Sequence, residues 1–381
     1  MLHLTLSIAG SGYHPASWQV SGQASGLPPS PGAADLYPIV RAAERGCLDA
    51  ILLGHGTDAL RVGGVGRANT MQLDPLPLAG ALIARTTRIG VAAGWTVDFT
   101  EPFHIARVLA TLDHLSYGRS AWLVHMFGTD ALAARIGRPP GTDGLSDYCE
   151  RAGEFISAVE KLWDSWEDEA FAVDKASGMF VDPDRVHRID HHGRYFTIRG
   201  PLNVPRPPQG YPVLIQSDPA SADGRRLVVE TADIILTRCA SLAEAAGRYK
   251  DLHRLAAMQA RDPSSFRVLA DLGIVLAPTA AEARQRAERL DYLVAPGSAI
   301  PRFVGTPEAL VELFTKWSEA GACDGFNLLP AVLPDDVALL VDAVIPLARA
   351  QGLFRAEYAG ATLRDHFGLP RPASQYREIS G

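Results

Sequence analysis

The stretch PVLIQSDPASADGRRLVVETADIILTR, residues 212–238, predicts a strand, a helix and a second strand in succession. Its two short apolar runs, 212–217 and 233–238, are typical of parallel strands that are covered on both faces. Parallel neighbours need a crossover connection, which is usually a helix, and the segment between the runs can supply one. This unit therefore predicts a parallel sheet with helices packed against it.

The same alternation of apolar runs and amphipathic segments continues along nearly the whole chain. The order is strand then helix throughout, and no early G-x-G-x-x-G motif follows the first strand, which argues against an open dinucleotide-binding sheet. We therefore predict an α/β fold, a (β/α)8 TIM barrel with insertions. The predicted strands are residues 2–9, 50–54, 88–96, 120–126, 212–217, 233–238, 268–276 and 325–330.

Three helix starts carry recognisable capping signals. Ser241 and Thr279 each stand three residues before a glutamate, which matches a capping box. Thr306 followed by Pro307 is typical of an N-cap and a first helical position. These signals place helices after the predicted strands, as a barrel requires.

We predict one barrel domain over residues 1–381. It carries a polar insertion at about 167–211 and a C-terminal extension at about 351–381. The insertion is rich in proline and glycine, and HHGRYFTIRGPLNV at 191–204 is typical of a hairpin. Long insertions on the side of a barrel where strands lead into helices often carry substrate or subunit contacts, so we expect self-association.

Composition excludes several classes of protein. Hydrophobic residues make up 47% of the chain and charged residues 21%, and no apolar run reaches the ~20 residues of a membrane span. The net charge of −7 argues against a nucleic-acid binder. The N-terminus lacks a signal-peptide pattern, and the four cysteines form no C-x-x-C pair, so we expect a cytoplasmic protein with free thiols.

The phrase HRIDHHGR, residues 187–194, gathers three histidines and an aspartate. Such side chains are common metal ligands, but a metal site normally also draws on a distant element of the chain. Polar packing within the hairpin is the better interpretation. We therefore predict no metal site.

Three histidines are candidate acids or bases at the mouth of the barrel. His104 lies one turn into the helix that follows a strand ending at Thr96. His125 points in the same direction as Leu123, because side chains alternate along a strand. His55 follows the second strand, where the active sites of these barrels lie. Histidines packed in the core are the competing interpretation for all three.

Several phrases resemble one family over nearly the whole chain. They include AAERGCLDAILLG at 42–54, TEPFHIARVLATLDHLSYGRSAW at 100–122 and EYAGATLRDHFGLP at 357–370, with the segment 163–205 the most specific. The chain resembles the nitrilotriacetate and dibenzothiophene-sulfone monooxygenase branch of the bacterial luciferase-like flavin monooxygenases. The resemblance implies a luciferase-like barrel, usually a homo-oligomer. It also implies that reduced FMN, delivered by a separate flavin reductase, serves to oxygenate a small-molecule substrate.

The chain departs from the family pattern near the flavin ring. An alanine-aspartate pair at the end of the second strand is replaced, and so are an asparagine, a threonine and a serine on and after the fourth strand. The tyrosine that usually stands two residues before the R-A-x-E-F phrase is also replaced, and Tyr148 lies one position earlier. The residues found instead are Gly54, His55, Leu123, Met126, Phe127 and Cys149.

The stretch QSDPA, residues 216–220, also departs from the family pattern. The family pattern there is approximately Q-A-G-S-S and supplies donors to the FMN phosphate, whereas this chain supplies a negative charge and a proline without an N–H group. We expect Arg225 or Arg226 to replace the lost donors, because arginine binds phosphate through charge-assisted bonds. The cofactor-binding residues implied by the resemblance are Thr96, Gln216, Ser217, Asp218 and Ala220.

Three functions stay open on these residues. The first is an FMNH2-dependent monooxygenase with a rebuilt pocket. The second is a non-catalytic subunit or binding protein, which would form a hetero-oligomer with a related chain. The third is an enzyme that uses the altered pocket for flavin-independent chemistry, with His55, His104 and His125 as its acid-base groups.

Overall fold

The chain folds into a closed barrel of eight parallel strands. The computed structural model describes residues 1–21, 32–55, 73–98, 100–126, 145–294 and 300–376. The barrel closes through pairing of β8 with β9. Every predicted strand is present and the predicted (β/α)8 barrel is confirmed. The barrel strands are β1 His3–Ile8, β2 Ala50–Leu53, β3 Gly90–Thr96, β4 Ser120–His125, β7 Val213–Ser217, β8 Ile234–Thr237, β9 Arg267–Leu276 and β11 Gly325–Pro330.

Among the described residues, three further strands lie outside the barrel wall. β5 (His191–His192) and β6 (Thr197–Ile198) form an antiparallel pair, and β10 (Arg302–Gly305) extends the edge of β9 beyond β8. Among the described helices, none combines the length and apolar character that a membrane crossing requires.

Helices cover the outside of the barrel. Both predicted N-caps are present, and Thr279 forms the full capping box with Glu282. Ser241 accepts from the N–H of Glu244, but the Glu244 carboxylate accepts from the Ala240 N–H instead of returning to Ser241. The helices are α1 Ser17–Val20, α2 Ala33–Arg45, α3 Pro75–Ile83, α4 Pro102–Ser116, α5 Leu145–Asp164, α6 Ala222–Thr231, α7 Leu242–Met258, α8 Ala280–Leu293, α9 Pro307–Glu319, α10 Asp335–Leu339, α11 Ile345–Ala350 and α12 Leu363–Phe367, with a π-helical turn Leu340–Val344 between α10 and α11.

Alternate strand residues face the barrel interior. The interior cluster holds Leu52 of β2, Leu123 of β4 and Leu236 of β8, and their neighbours along each strand pack against the helices instead. This alternation follows from the two-residue period of a strand. It fixes which side chains can reach the open end of the barrel.

The C-terminal segment closes the amino-terminal end of the barrel. Leu363 and Phe367 of α12 belong to the interior cluster, and the Phe367 ring lies 5.1 Å from that of His3. Gly90 at the start of β3 has no room for a side chain, since a Cβ there would come within 2.5 Å of Leu363. The open end is therefore the opposite one, where the strands reach their carboxyl ends.

The polar segment predicted at 167–211 follows α5 and precedes β7. It therefore starts and ends at the amino-terminal rim, which corrects the expectation that it lies on the side where strands lead into helices. Its hairpin packs along α5, where the Glu154 carboxylate accepts from the backbone N–H groups of Tyr195 and Phe196. Contacts with substrate or with other subunits through this segment remain a prediction.

Candidate active site

A buried carboxylate organises the open end of the barrel. Asp271 of β9 accepts hydrogen bonds from His55 Nε2 (2.8 Å), Arg238 Nε (3.1 Å) and Asn327 Nδ2 (2.8 Å). Burial alone would raise the pKa of Asp271, but His55, Arg238 and Asn327 together outweigh it and hold this pKa below its ordinary value. Asp271 is therefore ionised, and its charge fixes the three donors around it.

The Asn327 amide is oriented from below by two hydroxyls. Thr5 Oγ1 and Ser7 Oγ of β1 donate to Asn327 Oδ1 at 2.9 and 3.0 Å. With its oxygen satisfied on that side, Asn327 presents its amino group to Asp271. The polar groups thus form one connected and buried network, which holds the carboxylate in a single geometry.

His55 reaches this network because Gly54 breaks the strand alternation. Gly54 has φ +86°, in the region that favours glycine, and a Cβ there would lie 3.2 Å from Pro75 Cγ. The Tyr13 hydroxyl donates to the His55 carbonyl at 2.6 Å and supports the turn. The imidazole is buried, and it spans the mouth from β2 to β9.

His125 lies beside this network and carries no hydrogen bond from its ring to any residue that the structure describes. Its Nε2 stands over the glycines of two neighbouring strands: a Cβ would lie 2.5 Å from it at Gly94 and 3.8 Å at Gly54. Burial, and then the nearby charge of His55, lower the pKa of His125 to about 4. Near neutral pH, this imidazole is therefore uncharged.

Thr96 adjoins His125, with which it is paired in register between β3 and β4. Its Oγ1 donates to Asp98 Oδ2 at 2.8 Å, and the Tyr148 hydroxyl donates to the same oxygen at 3.1 Å. Thr96 thus lies at the mouth, while its proton is directed to Asp98. His104 does not lie at the mouth of the barrel, because its side chain is exposed on α4.

A second polar group lies at the carboxyl end of β7. The Asp218 carboxylate, only 7% exposed, accepts a hydrogen bond from Arg225 Nε at 2.9 Å and forms an ion pair with Arg248 Nη1 at 2.9 Å. Two guanidinium groups thus face the Asp218 carboxylate, while Asp223 adds a further carboxylate in the first turn of α6. The sequence expectation of an uncompensated negative charge at Asp218 is therefore wrong, because Arg225 and Arg248 are paired with it. The expected role of Arg225 is compatible with its position, whereas Arg226 is exposed.

The remaining residues of this stretch differ in direction. Gln216 turns away from the mouth, and its Nε2 donates to Thr231 Oγ1 at 2.8 Å. Ser217 is half-buried at the end of β7, and Ala220 is exposed. Ser221 caps α6 by accepting from the Gly224 N–H group. Of the predicted cofactor-binding residues in this stretch, Ser217, Asp218 and Ala220 therefore lie at the corner, and Gln216 does not.

Two sequence expectations lie elsewhere. The histidines of HRIDHHGR bind carboxylates of the insertion and α5, with His187 Nε2 2.7 Å from Glu167 and His191 Nε2 3.2 Å from Glu154. Within the described part of the chain, no cluster of three metal-ligating side chains occurs. Phe127 lies outside the described residues.

The sequence reasoning missed the residues that hold the mouth together, namely Asp271, Arg238, Asn327 and Arg248. A signal was present for two of them. Asp271 interrupts the apolar run 268–276, and Asn327 interrupts the run 325–330. By alternation along the strand, Asp271 lies on the same face as the interior residue Leu269. Nothing in the sequence pattern, however, pairs a strand aspartate with a histidine more than two hundred residues away.

A closed (β/α)8 barrel whose strand ends converge on buried ionisable groups defines a TIM-barrel enzyme. The chain belongs to the luciferase-like monooxygenase family, which it matches over residues 13–321. N-acetyl-S-(2-succino)cysteine monooxygenase from Bacillus subtilis (strain 168) is 33% identical, with 98% of each chain covered. Nitrilotriacetate monooxygenase component A from Aminobacter aminovorans is 32% identical and covers 90% of this chain and 91% of its own.

Solved structures agree with this assignment. A riboflavin lyase (RcaE), solved with modified FMN and riboflavin, superposes with a TM-score of 0.85 at 26% identity, covering 97% of this chain and 96% of the other. The resemblance found in the sequence is thus confirmed. The chain is a monooxygenase of the flavin-dependent, luciferase-like class.

The residues at the β7 corner fit the phosphate of a flavin mononucleotide. Arg225 and Arg248 each contact Asp218 through one nitrogen, and a second nitrogen of Arg225 donates to the Pro219 carbonyl. Each guanidinium has five N–H donors, so donors remain beside the start of the ten-residue helix α6. The anion would thus be held by arginines instead of hydroxyls.

Proposed function

We propose that this monooxygenase uses reduced FMN, delivered by a separate flavin reductase, to oxygenate a small organic substrate at the barrel mouth. The observation that carries the proposal is the pair of guanidinium groups, Arg225 and Arg248, that meet at Asp218, because arginine binds phosphate through charge-assisted bonds. Family membership supports the oxygenase chemistry. A cytoplasmic location and assembly into a homo-oligomer are part of the proposal.

The chain's own residues bind and orient, while the flavin supplies the oxygen chemistry. Arg225 and Arg248 hold the phosphate. Asp271 fixes His55 and Arg238 at the mouth, where Arg238 follows β8, the strand next to β7. His125, uncharged at neutral pH, has no hydrogen bond from its ring to the described residues, so its ring can accept or donate one hydrogen bond at the mouth.

Titration with FMN, followed by flavin fluorescence, tests the proposal. We expect saturable binding to the native protein. Binding should be weaker by about tenfold in Arg248→Gln, which removes one charge-assisted contact. Affinity should rise in Asp218→Asn, because both arginines are then released to the phosphate. Arg254→Gln, which changes a side chain on the same helix that is 71% exposed, should bind as the native protein does.

A flavin-free role is the second candidate, and the position of His125 favours it. The imidazole stands over Gly54 and Gly94, beside the positions where the family resemblance places the flavin ring. A cofactor would have to displace this side chain. Absence of FMN binding to the native protein and to both corner variants would refute the first proposal and support a non-catalytic subunit or a flavin-independent enzyme.

A further inference from the structure

Arg238 is held at the mouth by only one of its nitrogens. Its Nε donates to Asp271, whose side chain is completely buried, while the Arg238 side chain is 43% exposed. Because Leu236 lies in the interior cluster, alternation along the strand also directs Arg238 to the mouth side of the barrel. The guanidinium is thus fixed at its inner edge and open at its outer edge.

The two terminal nitrogens of Arg238 have no hydrogen-bond acceptor or anion in the described part of the chain. A planar guanidinium with both terminal amino groups available matches the two oxygens of a carboxylate. Asp271 cannot supply that match, since Asp271 receives only the Nε group from Arg238 and is otherwise occupied by His55 and Asn327. The arginine therefore presents an unfilled bidentate site.

Arg238 has a different carboxylate partner from the arginines of the phosphate corner, although the two groups follow the neighbouring strands β7 and β8. Asp218 collects Arg225 and Arg248 from α6 and α7, whereas Arg238 is tied to Asp271 of β9. A flavin phosphate that occupies the first group leaves the second for another anion. Beside the polar network of Asp271, Leu123 and Leu236 of the interior cluster lie buried beneath the mouth.

We propose that Arg238 binds the carboxylate of an organic-acid substrate and thereby orients its carbon skeleton over the mouth. The inference rests on the proposed function and names the substrate class for the same site. Asp271 is a positioning residue, because it touches Arg238 and not the substrate. His55 and Asn327 keep Asp271 in place.

Carboxylate probes test this assignment without knowledge of the natural substrate. Succinate and nitrilotriacetate would be titrated into the full-length protein by calorimetry, in chloride buffer, with succinamide as the neutral counterpart of succinate. We expect at least one carboxylate to bind saturably and succinamide not to bind. In Arg238→Gln the carboxylate affinity should fall by about tenfold or more. Arg238→Lys should keep only part of the native affinity, since lysine has the positive charge but lacks the two parallel N–H donors of a guanidinium group.

Controls separate this result from misfolding and from failure of the flavin proposal. Arg254→Gln should bind the carboxylate normally, and thermal unfolding would establish that Arg238→Lys is folded. FMN affinity should be the same in Arg238→Gln as in the native protein. Equal binding of succinate and succinamide, no binding of either carboxylate, or unchanged affinity in Arg238→Gln would overturn the inference. So would a loss of FMN affinity in Arg238→Gln, because the anion would then be the flavin phosphate.

Discussion

His125 shows how a single buried imidazole links the stability of the barrel to pH. Its pKa of about 4 lies below the ordinary value of 6.5, first because it is buried and then because His55 is near. The unfolded chain therefore binds more protons than the folded one between these two values. The stability due to His125 is present above about pH 6.5 and is lost as the pH falls towards 4.

We expect His125→Gln to remove part of this acid sensitivity. The variant should lose less stability than the native protein when unfolding by urea is compared at pH 7 and pH 5. His104→Gln, at an exposed helix position, is the matched control and should follow the native curve. If His125→Gln and the native protein lose equal stability over this range, the buried and uncharged state of His125 is wrong.

Gly54 is the residue on which the position of His55 depends. A side chain at this positive φ is strained, and it would also press on Pro75. We expect Gly54→Ala to destabilise the protein by about 1–2 kcal/mol, measured from the urea midpoint. Gly247→Ala in α7, where a Cβ would meet nothing within 4 Å, should cause no loss. A Gly54→Ala protein as stable as the native one would contradict this account of the turn.

Among the elements, α12 is short but closes one end of the barrel. Phe367 is completely buried in the interior cluster, and Arg364 binds both oxygens of Asp233 at 3.0 and 2.7 Å. We expect Phe367→Ala to cost about 3–5 kcal/mol of unfolding free energy, as for other buried aromatic residues. Calorimetric or urea unfolding measures the loss. Phe180→Ala, at an exposed position of the insertion, is the control, and equal effects of the two substitutions would show that α12 is not part of the core.

The strands were predictable from sequence because each is a mainly apolar run, and that pattern needs no knowledge of distant partners. The helix starts at Ser241, Thr279 and Thr306 were predictable for the same reason, since a cap is local chemistry. The rim of the barrel at which the insertion lies was not predictable from the sequence. Its composition marks it as polar, but only the assignment of α5 before it shows at which rim it begins.

For the whole molecule, the fold and the family were predictable, whereas the electrostatics of the site were not. The sequence shows Asp218 only as a negative charge, whereas in the structure α7 brings Arg248, thirty residues further along, beside it. The sequence shows His55 only as an isolated substitution, whereas in the structure its imidazole is bonded to Asp271 across the barrel. Both depend on barrel closure, which sets the neighbours of a strand end through pairings that sequence periodicity does not encode.

The central claim is that the corner of Asp218, Arg225 and Arg248 receives a flavin phosphate. The most direct measurement is the ratio of FMN to riboflavin affinity, obtained by fluorescence titration of the native protein and of Arg248→Gln. We expect the native protein to prefer FMN by about tenfold or more, since only FMN carries the charged group, and the preference to shrink in the variant. A native ratio near one, or a preference that survives in Arg248→Gln, would contradict the claim.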